Sequence, residues 1–251
     1  VSSPAITTIS VYQLVPSIGT GVNNLPDTKY FLRIKEGLAV QSTNDIEFRK
    51  ENNLSDKPII AILPGSRKQE ITKMLSIMLS VATDFPDYQF VIAGAPSQEY
   101  SFYSTFLISN NCHFISNKTY DLLSVSYAAL VTSGTATLET ALFKVPEVVC
   151  YKTSKFSYQI AKRLVKIKFI SLVNLIMDKE IVQEIIQENL TEQHLTTALR
   201  NITENETNRK EVMENYASLH ALLAAGGGDA SAKVAKEIVA CAEPKLFIQE
   251  G

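Results

Sequence analysis

The sequence is poor in the residues that stabilise secreted domains and metal sites. It holds three cysteines and three histidines: Cys112, Cys150, Cys241, His113, His194 and His220. An odd number of widely spaced cysteines forms neither a disulfide framework nor a zinc motif, and the histidines lack metal-ligand spacing. We therefore expect Cys150, which lies in an apolar run, to be a small core residue. A reducing cytoplasm is the simplest compartment.

Long apolar runs and strong charge are also missing. No apolar stretch approaches the roughly 18 residues that a membrane-spanning helix needs. The net charge of −2 gives no indication of nucleic-acid binding. The chain begins at Val1 without the shape of a secretion signal, so we expect a fragment or a processed product. With 251 residues, 45% of them hydrophobic and 20% charged, the composition is that of a globular protein of one large or two small domains.

Several nucleotide-binding and metal-binding motifs are absent. There is no Gly-x4-Gly-Lys-Ser/Thr phosphate loop and no Asp-x-Asp pair for a metal–diphosphate complex. Gly19 and Gly21 begin a dinucleotide fingerprint, but Asn24 stands where the third glycine belongs, which argues against a nicotinamide dehydrogenase. Residues 1–47 carry no pattern that identifies a domain, and we leave them unassigned.

From residue 57 short apolar runs alternate with helical patterns. The predicted strands cover 58–63, 88–93, 113–115, 128–132 and 147–151, and the predicted helices between them cover 68–83, 98–109, 119–126 and 136–143. Alternating strands and helices predict a Rossmann-like parallel sheet with helices on both faces. Beyond residue 152 the patterns are helical, near 155–167, 179–188, 191–203, 206–224 and 229–242. We assign residues 48–251 to one α/β domain followed by a helical tail.

The first candidate binding motif is Pro64-Gly65-Ser66-Arg67, directly after a predicted strand. Ligands of open parallel sheets bind beyond the carboxyl ends of the strands. Gly65 permits close backbone approach, and Ser66 is a plausible N-cap for the following helix. A helix N-terminus beside Arg67 can bind an anion. A capped turn with Arg67 in solvent is the alternative.

A second motif, Ser133-Gly134-Thr135, follows the predicted strand 128–132 and begins another helix. Its hydroxyl and N–H groups would face the same edge of the sheet. Glu139 falls in the first turn of that helix or just beyond it. By itself, Glu139 is best explained as an acidic residue that the helix dipole stabilises. Beside a phosphate site we favour a second role, in which its carboxylate accepts both hydroxyls of a ribose.

Two further features each allow two interpretations. Asn174 lies within the apolar run Ile170–Ile176, where its amide must pair either with backbone or with a ligand. Between Glu147 and Asp178 the sequence has no acid but six basic residues interleaved with apolar ones. Such a segment indicates either a membrane-facing or anion-facing helix or an ordinary solvated face. Those basic residues are Lys152, Lys155, Lys162, Arg163, Lys166 and Lys168.

These motifs, in this order, resemble the C-terminal half of the lipid-A-disaccharide synthases, bacterial glycosyltransferases with the two-domain GT-B fold. The matching stretches are LPGSRKQEI (63–71), SGTATLETAL (133–142), PEVVCYK (146–152), AKRLVK (161–166), ISLVNLI (170–176) and GGGDASAKVAKEI (226–238). The resemblance covers about residues 48–242. The first two stretches are specific in combination, because other GT-B enzymes share the helix-start glutamate but not the series.

The resemblance implies a UDP-sugar site without a cofactor or a bound metal. The family transfers 2,3-diacylglucosamine from UDP to 2,3-diacylglucosamine 1-phosphate, with inversion, at the inner membrane of Gram-negative bacteria. Carried over, Arg67 is the candidate catalytic residue and contacts the diphosphate together with Ser66. Donors come from Ser133, Gly134 and Thr135, and Glu139 holds the ribose, while Tyr151 and Asn174 border the pocket. The residues expected to face the membrane are Lys155, Lys162, Arg163, Lys166 and Lys168.

The sequence also departs from the family. Val173 stands where the family usually has proline, and residues 1–47 do not match the family's N-terminal domain, which binds the acceptor and carries the candidate general base. The chain alone is therefore expected to bind UDP weakly without turnover. Because the C-terminal helices can swap between subunits in this family, a homodimer is one expectation. The alternatives are another GT-B or UDP-sugar epimerase-like enzyme, and a non-catalytic Rossmann-like module that binds nucleotide or docks on a membrane.

Overall fold

A parallel β-sheet organises the part of the chain that the structure describes. The structure is a computed structural model that describes residues 44–107, 109–153 and 168–225. Six strands within these ranges pair in parallel in the order β3-β2-β1-β4-β5-β6. They are β1 (Ile59–Leu63), β2 (Gln89–Gly94), β3 (Cys112–Ser116), β4 (Ala128–Thr132), β5 (Glu147–Tyr151) and β6 (Gln183–Ile186).

The central strands consist of apolar residues because both of their faces are covered. Every residue of β1, β2 and β4 is buried. Strands covered on both faces are typical of parallel sheets, in which crossover helices pack on the two sides. The five strands predicted from apolar runs are all present, and the bounds of β4 and β5 agree residue for residue. Cys150 is completely buried in β5, as predicted.

Helices cover both faces, which confirms the predicted fold class. They are α1 (Asp45–Glu51), α2 (Lys68–Ser80), α3 (Tyr100–Ser104), α4 (Thr119–Ser124), α5 (Thr135–Leu142), α6 (Leu172–Met177), α7 (Glu192–Thr203) and α8 (Glu206–Ala225). One face packs against α2, α3 and α7. The other packs against α1, α4 and α5, and a third cluster joins α5 and β5 to α6 and α8. None of the helices in the described ranges is long and apolar enough to cross a bilayer.

The prediction that strands end after residue 152 is wrong, because β6 lies at one edge of the sheet. Residues 179–188, predicted as helical, form the end of a loop, β6 and a short 3-10 turn. The apolar pairs Ile181-Val182 and Ile185-Ile186 are four residues apart, which imitates a helical period. Pairing with β5, in which Cys150 aligns with Ile185, decides the outcome. Tertiary contacts therefore override the local pattern.

Other predicted elements differ in length or lie outside the described residues. The helix predicted over 98–109 is confined to α3, Tyr100–Ser104. The helical patterns at 191–203 and 206–224 correspond to α7 and α8. The patterns at 155–167 and 229–242 and residues 1–43 of the unassigned segment lie outside the described residues. The domain boundary at residue 48 stays a prediction.

Gly94, the last residue of β2, has no room for a side chain. A Cβ atom there would lie 2.4 Å from the Phe114 ring and 3.1 Å from the carbonyl oxygen of Ile115. The Phe114 ring in turn packs against Tyr103, with ring centroids 4.7 Å apart. We expect Gly94→Ala to lower the free energy of unfolding by about 1–3 kcal/mol, because overpacking forces the ring to move. Urea denaturation measures this loss.

A second substitution at the neighbouring ring tests the cause of that loss. In Phe114→Leu the smaller side chain vacates the space that the new methyl group needs. The double variant should therefore be more stable than the sum of the two single losses predicts. Purely additive losses would show that Gly94 is required for another reason.

Candidate functional site

The two motifs singled out in the sequence meet at the point where the strand order reverses. Strands β2 and β3 lie on one side of β1, and β5 and β6 lie on the far side of β4. The crevice between β1 and β4, at the carboxyl ends of the strands, is the usual ligand site of such a sheet. Residues 64–67 follow β1, and residues 133–134 follow β4. The structure therefore places both motifs at this crevice.

The loop after β1 turns sharply at Gly65 and leads into α2. Gly65 has a φ of +99°, and a Cβ there would lie 3.1 Å from Glu70 Oε2. The prediction that Ser66 is the N-cap is wrong: α2 begins at Lys68, and Arg67 holds the N-cap position without a side-chain capping bond. Arg67 has the extended backbone of an N-cap, and exposed Ser66 instead accepts a hydrogen bond at its carbonyl from Ser97 Oγ, at 3.2 Å.

Arg67 extends into solvent beside this loop. Its side chain is 81% exposed, and one guanidinium nitrogen lies 3.1 Å from Glu70 Oε1. An exposed pair of this kind contributes little to stability. The guanidinium can therefore exchange Glu70 for an anionic ligand at small cost, and it remains available for the diphosphate contact that the sequence predicts.

The loop after β4 is open where the helix α5 begins. Gly134 is the N-cap of α5 and has φ 145° and ψ −160°, a conformation that is essentially restricted to glycine. A Cβ at Gly134 would meet no atom of the described residues within 4 Å. Thr135 is exposed, and the half-buried Ser133 donates its hydroxyl to the Ile170 carbonyl at 2.9 Å. Among the residues that the structure describes, none covers the backbone at this helix N-terminus.

A buried hydroxyl lies at the base of the crevice and was not identified from the sequence. Thr132, the last residue of β4, is 7% exposed, and its Oγ1 has no hydrogen-bond partner in the described part of the chain. Its methyl carbon would be 3.9 Å from a Cβ on Gly65, which shows how closely the two loops approach. A threonine ending an apolar strand gave no distinguishing signal in the sequence.

Glu139 and Tyr151 lie on the elements that flank the crevice. Glu139 is the fifth residue of α5 and is half-buried. Tyr151 is the last residue of β5, also half-buried, at the carboxyl edge of the sheet. Their proposed contacts with ribose and with the rest of the ligand stay predictions.

Asn174 is buried in α6, and its amide pairs with protein groups. Its Nδ2 donates to the Val182 carbonyl at 2.8 Å and to Glu184 Oε1 at 2.9 Å. Its Oδ1 accepts from the N–H groups of Ile181 and Val182, at 2.7 and 3.0 Å. Of the two interpretations, backbone pairing is the one visible here. A direct contact between Asn174 and a ligand stays a prediction.

Glu184 organises the segment before α6 and was also missed in the sequence. Its carboxylate accepts hydrogen bonds from the backbone N–H groups of Ile170 and Ser171, at 2.8 and 2.9 Å, and from Ser171 Oγ at 2.8 Å. The only sequence signal was an acid between two apolar pairs in a segment predicted as helical, and it did not single out Glu184.

Of the predicted membrane-facing residues, Lys168 lies within the described ranges. It is exposed, and its Nζ is 3.0 Å from Asp178 Oδ1. Lys155, Lys162, Arg163 and Lys166 lie outside the described residues. In the ranges that the structure describes, no group of three or more His, Cys, Asp or Glu side chains is arranged to hold a metal ion.

Comparisons with known proteins agree with the resemblance seen in the motifs. A family profile described as lipid-A-disaccharide synthetase matches residues 38–238. The lipid-A-disaccharide synthase of Coxiella burnetii (strain CbuG_Q212) is 34% identical over 197 residues, which are 76% of this chain and 52% of that protein. The synthase of Cellvibrio japonicus (strain Ueda107) is 33% identical over 193 residues, or 74% and 50%. The chain thus spans about half the length of these relatives.

Solved structures with more distant sequences were also found. The C-terminal domain of a group 1 glycosyl transferase, LpcC, from Francisella tularensis aligns with a TM-score of 0.49 and 15% identity, over 73% of this chain and 93% of that domain. WaaG, a glycosyltransferase involved in lipopolysaccharide biosynthesis, aligns with a TM-score of 0.48 and 15% identity, over 78% of this chain and 50% of that one.

Proposed function

Since this chain belongs to the lipid-A-disaccharide synthetase family, we propose that it forms the nucleotide-binding half of a glycosyltransferase with the GT-B fold. The proposed reaction transfers 2,3-diacylglucosamine from its UDP form to 2,3-diacylglucosamine 1-phosphate, with release of UDP. Acceptor binding and the general base belong to the other half of the enzyme. This chain binds the UDP-sugar and stabilises the departing UDP.

The observation that most supports this proposal is the meeting of the two loops at the β1–β4 crevice. Each loop contains a glycine with positive φ, Gly65 or Gly134, and each leads into a helix N-terminus. N–H groups at helix N-termini bind phosphate through hydrogen bonds and the helix dipole. The buried hydroxyl of Thr132 between the loops lacks a partner in the described residues. A pair of such loops suits a diphosphate, because each loop can bind one of its two phosphates.

Arg67 and the two helix N-termini give this site its chemical role. As the bond between sugar and diphosphate breaks, negative charge grows on the departing UDP oxygens. Positioned N–H donors at Thr135 and the cationic Arg67 stabilise that charge more in the transition state than in the bound donor. Glu139 holds the ribose hydroxyls, and Ser66, Ser133 and Tyr151 complete the contacts with the donor.

The acylated substrates imply work at a membrane surface. We propose that Lys155, Lys162, Arg163, Lys166 and Lys168 face the inner membrane. Basic residues near an anionic leaflet each add about 1 kcal/mol of attraction. Retention of the chain on vesicles that contain anionic lipid, with loss of retention at high salt, would support this orientation.

UDP titration of the purified chain is the direct test of the proposed function. We expect saturable binding by calorimetry and a loss of about tenfold or more in affinity for Glu139→Ala, because two hydrogen bonds to a charged acceptor disappear. The matched control is Glu214→Ala, which removes a largely exposed acid from α8 and should bind UDP like the parent.

Two outcomes would contradict the proposal. If the parent gives no heat at millimolar UDP, the nucleotide-binding role of this half is wrong. If Glu139→Ala binds as tightly as the parent, UDP does not use this ribose contact. Lipid binding without any nucleotide affinity would favour the alternative of a membrane-docking module.

A further inference from the structure

We propose that Glu184 is a positioning residue for the UDP-sugar site. This inference rests on the function proposed above and adds a residue that the sequence motifs do not indicate. Glu184 lies in β6, two strands away from β4. It acts through hydrogen bonds that fix the segment before α6 against the loop that follows β4.

The carboxylate of Glu184 receives four hydrogen bonds from one short stretch of chain. The donors are the backbone N–H groups of Ile170 and Ser171, the hydroxyl of Ser171 and the amide of Asn174, all at 2.8–2.9 Å. All four groups donate, so the geometry fits the ionised carboxylate, which only accepts. Charge-assisted bonds of this kind are roughly twice as strong as neutral ones.

The stretch held by Glu184 contacts the loop at the crevice directly. Ser133 Oγ donates to the Ile170 carbonyl at 2.9 Å. The N–H of Leu172 donates to Thr137 Oγ1 at 3.2 Å, and that same hydroxyl donates to the Gly134 carbonyl at 2.9 Å. A chain of hydrogen bonds therefore connects Glu184 to the side chain of Ser133 and to the backbone carbonyl of Gly134.

Burial makes this connection stiff. Ser171 and Asn174 are fully buried, so their polar groups cannot turn to water if Glu184 is lost. Asn174 also ties the same segment to Ile181 and Val182, which precede β6. The segment must move as a unit, and any movement of Ile170 changes the orientation of Ser133 at the site.

Electrostatic repulsion between Glu184 and the anionic ligand, taken alone, predicts the opposite of a positioning role. Removal of a carboxylate near an anion site should tighten the binding of UDP, because one repulsive charge disappears. The positioning role predicts weaker binding for Glu184→Gln, because the new NH2 group faces donors instead of accepting from them. The sign of the change in affinity therefore separates the two explanations.

The experiment compares UDP affinity in the parent chain and in four variants by calorimetry. Glu184→Gln should bind about tenfold or more weakly, since small misplacements of binding groups carry losses of this size. Glu184→Asp retains the charge and should recover part of the affinity. Ser171→Ala removes one donor and should weaken binding a few-fold. Glu188→Gln removes an exposed charge nearby and should bind at least as tightly as the parent.

A spectroscopic measurement without UDP shows whether the loop itself moves. In Glu184→Gln the backbone amide resonances of residues 133–137 should shift, although the hydrogen bonds of Glu184 go to Ile170, Ser171 and Asn174. A substitution that affects stability alone would leave these resonances in place below the melting temperature. Unshifted resonances would overturn the inference.

The remaining outcomes separate this inference from the proposed function. If the parent binds UDP and folded Glu184→Gln binds within twofold of it, the positioning role is wrong and the proposed function stands. If the parent does not bind UDP, both fail. If Glu184→Gln does not fold, the test passes to Ser171→Ala and Glu184→Asp. If both of these variants bind UDP as tightly as the parent, the inference is overturned.

Discussion

Glu147→Gln is expected to stabilise the protein at neutral and alkaline pH. Glu147, the first residue of β5, is 1% exposed, and neither carboxylate oxygen has a hydrogen-bond partner in the described residues. Burial raises the pKa of Glu147 well above its ordinary value. Burial likewise raises the pKa of the neighbouring Tyr216 phenol on α8.

The direction of the pH dependence follows from these environments. The folded protein keeps a proton on Glu147 that the unfolded chain releases above a pH of about 4.3. The stabilising contribution of the neutral carboxyl is therefore complete below that pH and is lost as the pH rises through the folded pKa. Glutamine has the same shape and does not titrate, so the parent should lose stability relative to the variant as the pH rises.

Urea denaturation at pH 5, 7 and 9 measures this difference. We expect the advantage of Glu147→Gln to grow with pH to about 1–3 kcal/mol, since each pH unit over which the folded state alone keeps the proton is worth about 1.4 kcal/mol. The matched control, Glu214→Gln, changes a largely exposed acid on the same helix as Tyr216 and should leave the pH dependence unchanged. Parallel pH profiles for the parent and Glu147→Gln would contradict the explanation.

Gly134→Ala is expected to lower the affinity for UDP by about tenfold or more. The backbone at Gly134, with φ 145° and ψ −160°, costs a non-glycine residue about 1–3 kcal/mol. Because a Cβ would meet no atom within 4 Å in the described part of the chain, steric overlap with these neighbours does not contribute. The loop relieves the strain by rotating, which moves the N–H groups at the start of α5 away from the phosphate. UDP titration measures the loss.

Glu147→Gln provides the background that separates binding from stability. Glu147 begins β5 at the amino end of the strands, whereas Gly134 follows β4 at the carboxyl end. The double variant should regain stability at neutral pH but keep the weak UDP binding of Gly134→Ala. Recovery of full affinity in the double variant would mean that strain at Gly134 acts through unfolding and not through the geometry of the loop.

Features that depend on neighbouring residues were predicted well from the sequence. Unbroken apolar runs such as Ile59–Leu63 indicate buried parallel strands, because both faces of such strands are covered. Glycine directly after a strand and before a helical pattern marks a loop at the carboxyl edge. The two loops at the crevice were predicted on these grounds, although the strand order that brings them together was not.

Features that depend on distant partners were not predictable in this way. Strand β6 has a helical period in its sequence and becomes a strand only because β5 offers an edge to it. Glu184 gains its role from a segment 10–14 residues earlier in the chain. The Thr132 hydroxyl has no hydrogen-bond partner among the described residues, a property that no local pattern reveals.

The adjacency of β1 and β4 has a consequence for synthesis on the ribosome. Strands β1, β2 and β3 can assemble early, but β1 pairs with β4 only after residue 132 has emerged. Until then β1 presents Ile59-Ile60-Ala61-Ile62-Leu63 at an open edge, a short β-branched segment of the kind that aggregates. We therefore expect stalled nascent chains that have exposed residue 116 but not residue 128 to require chaperone protection. Chains in which β4 has also emerged should require much less.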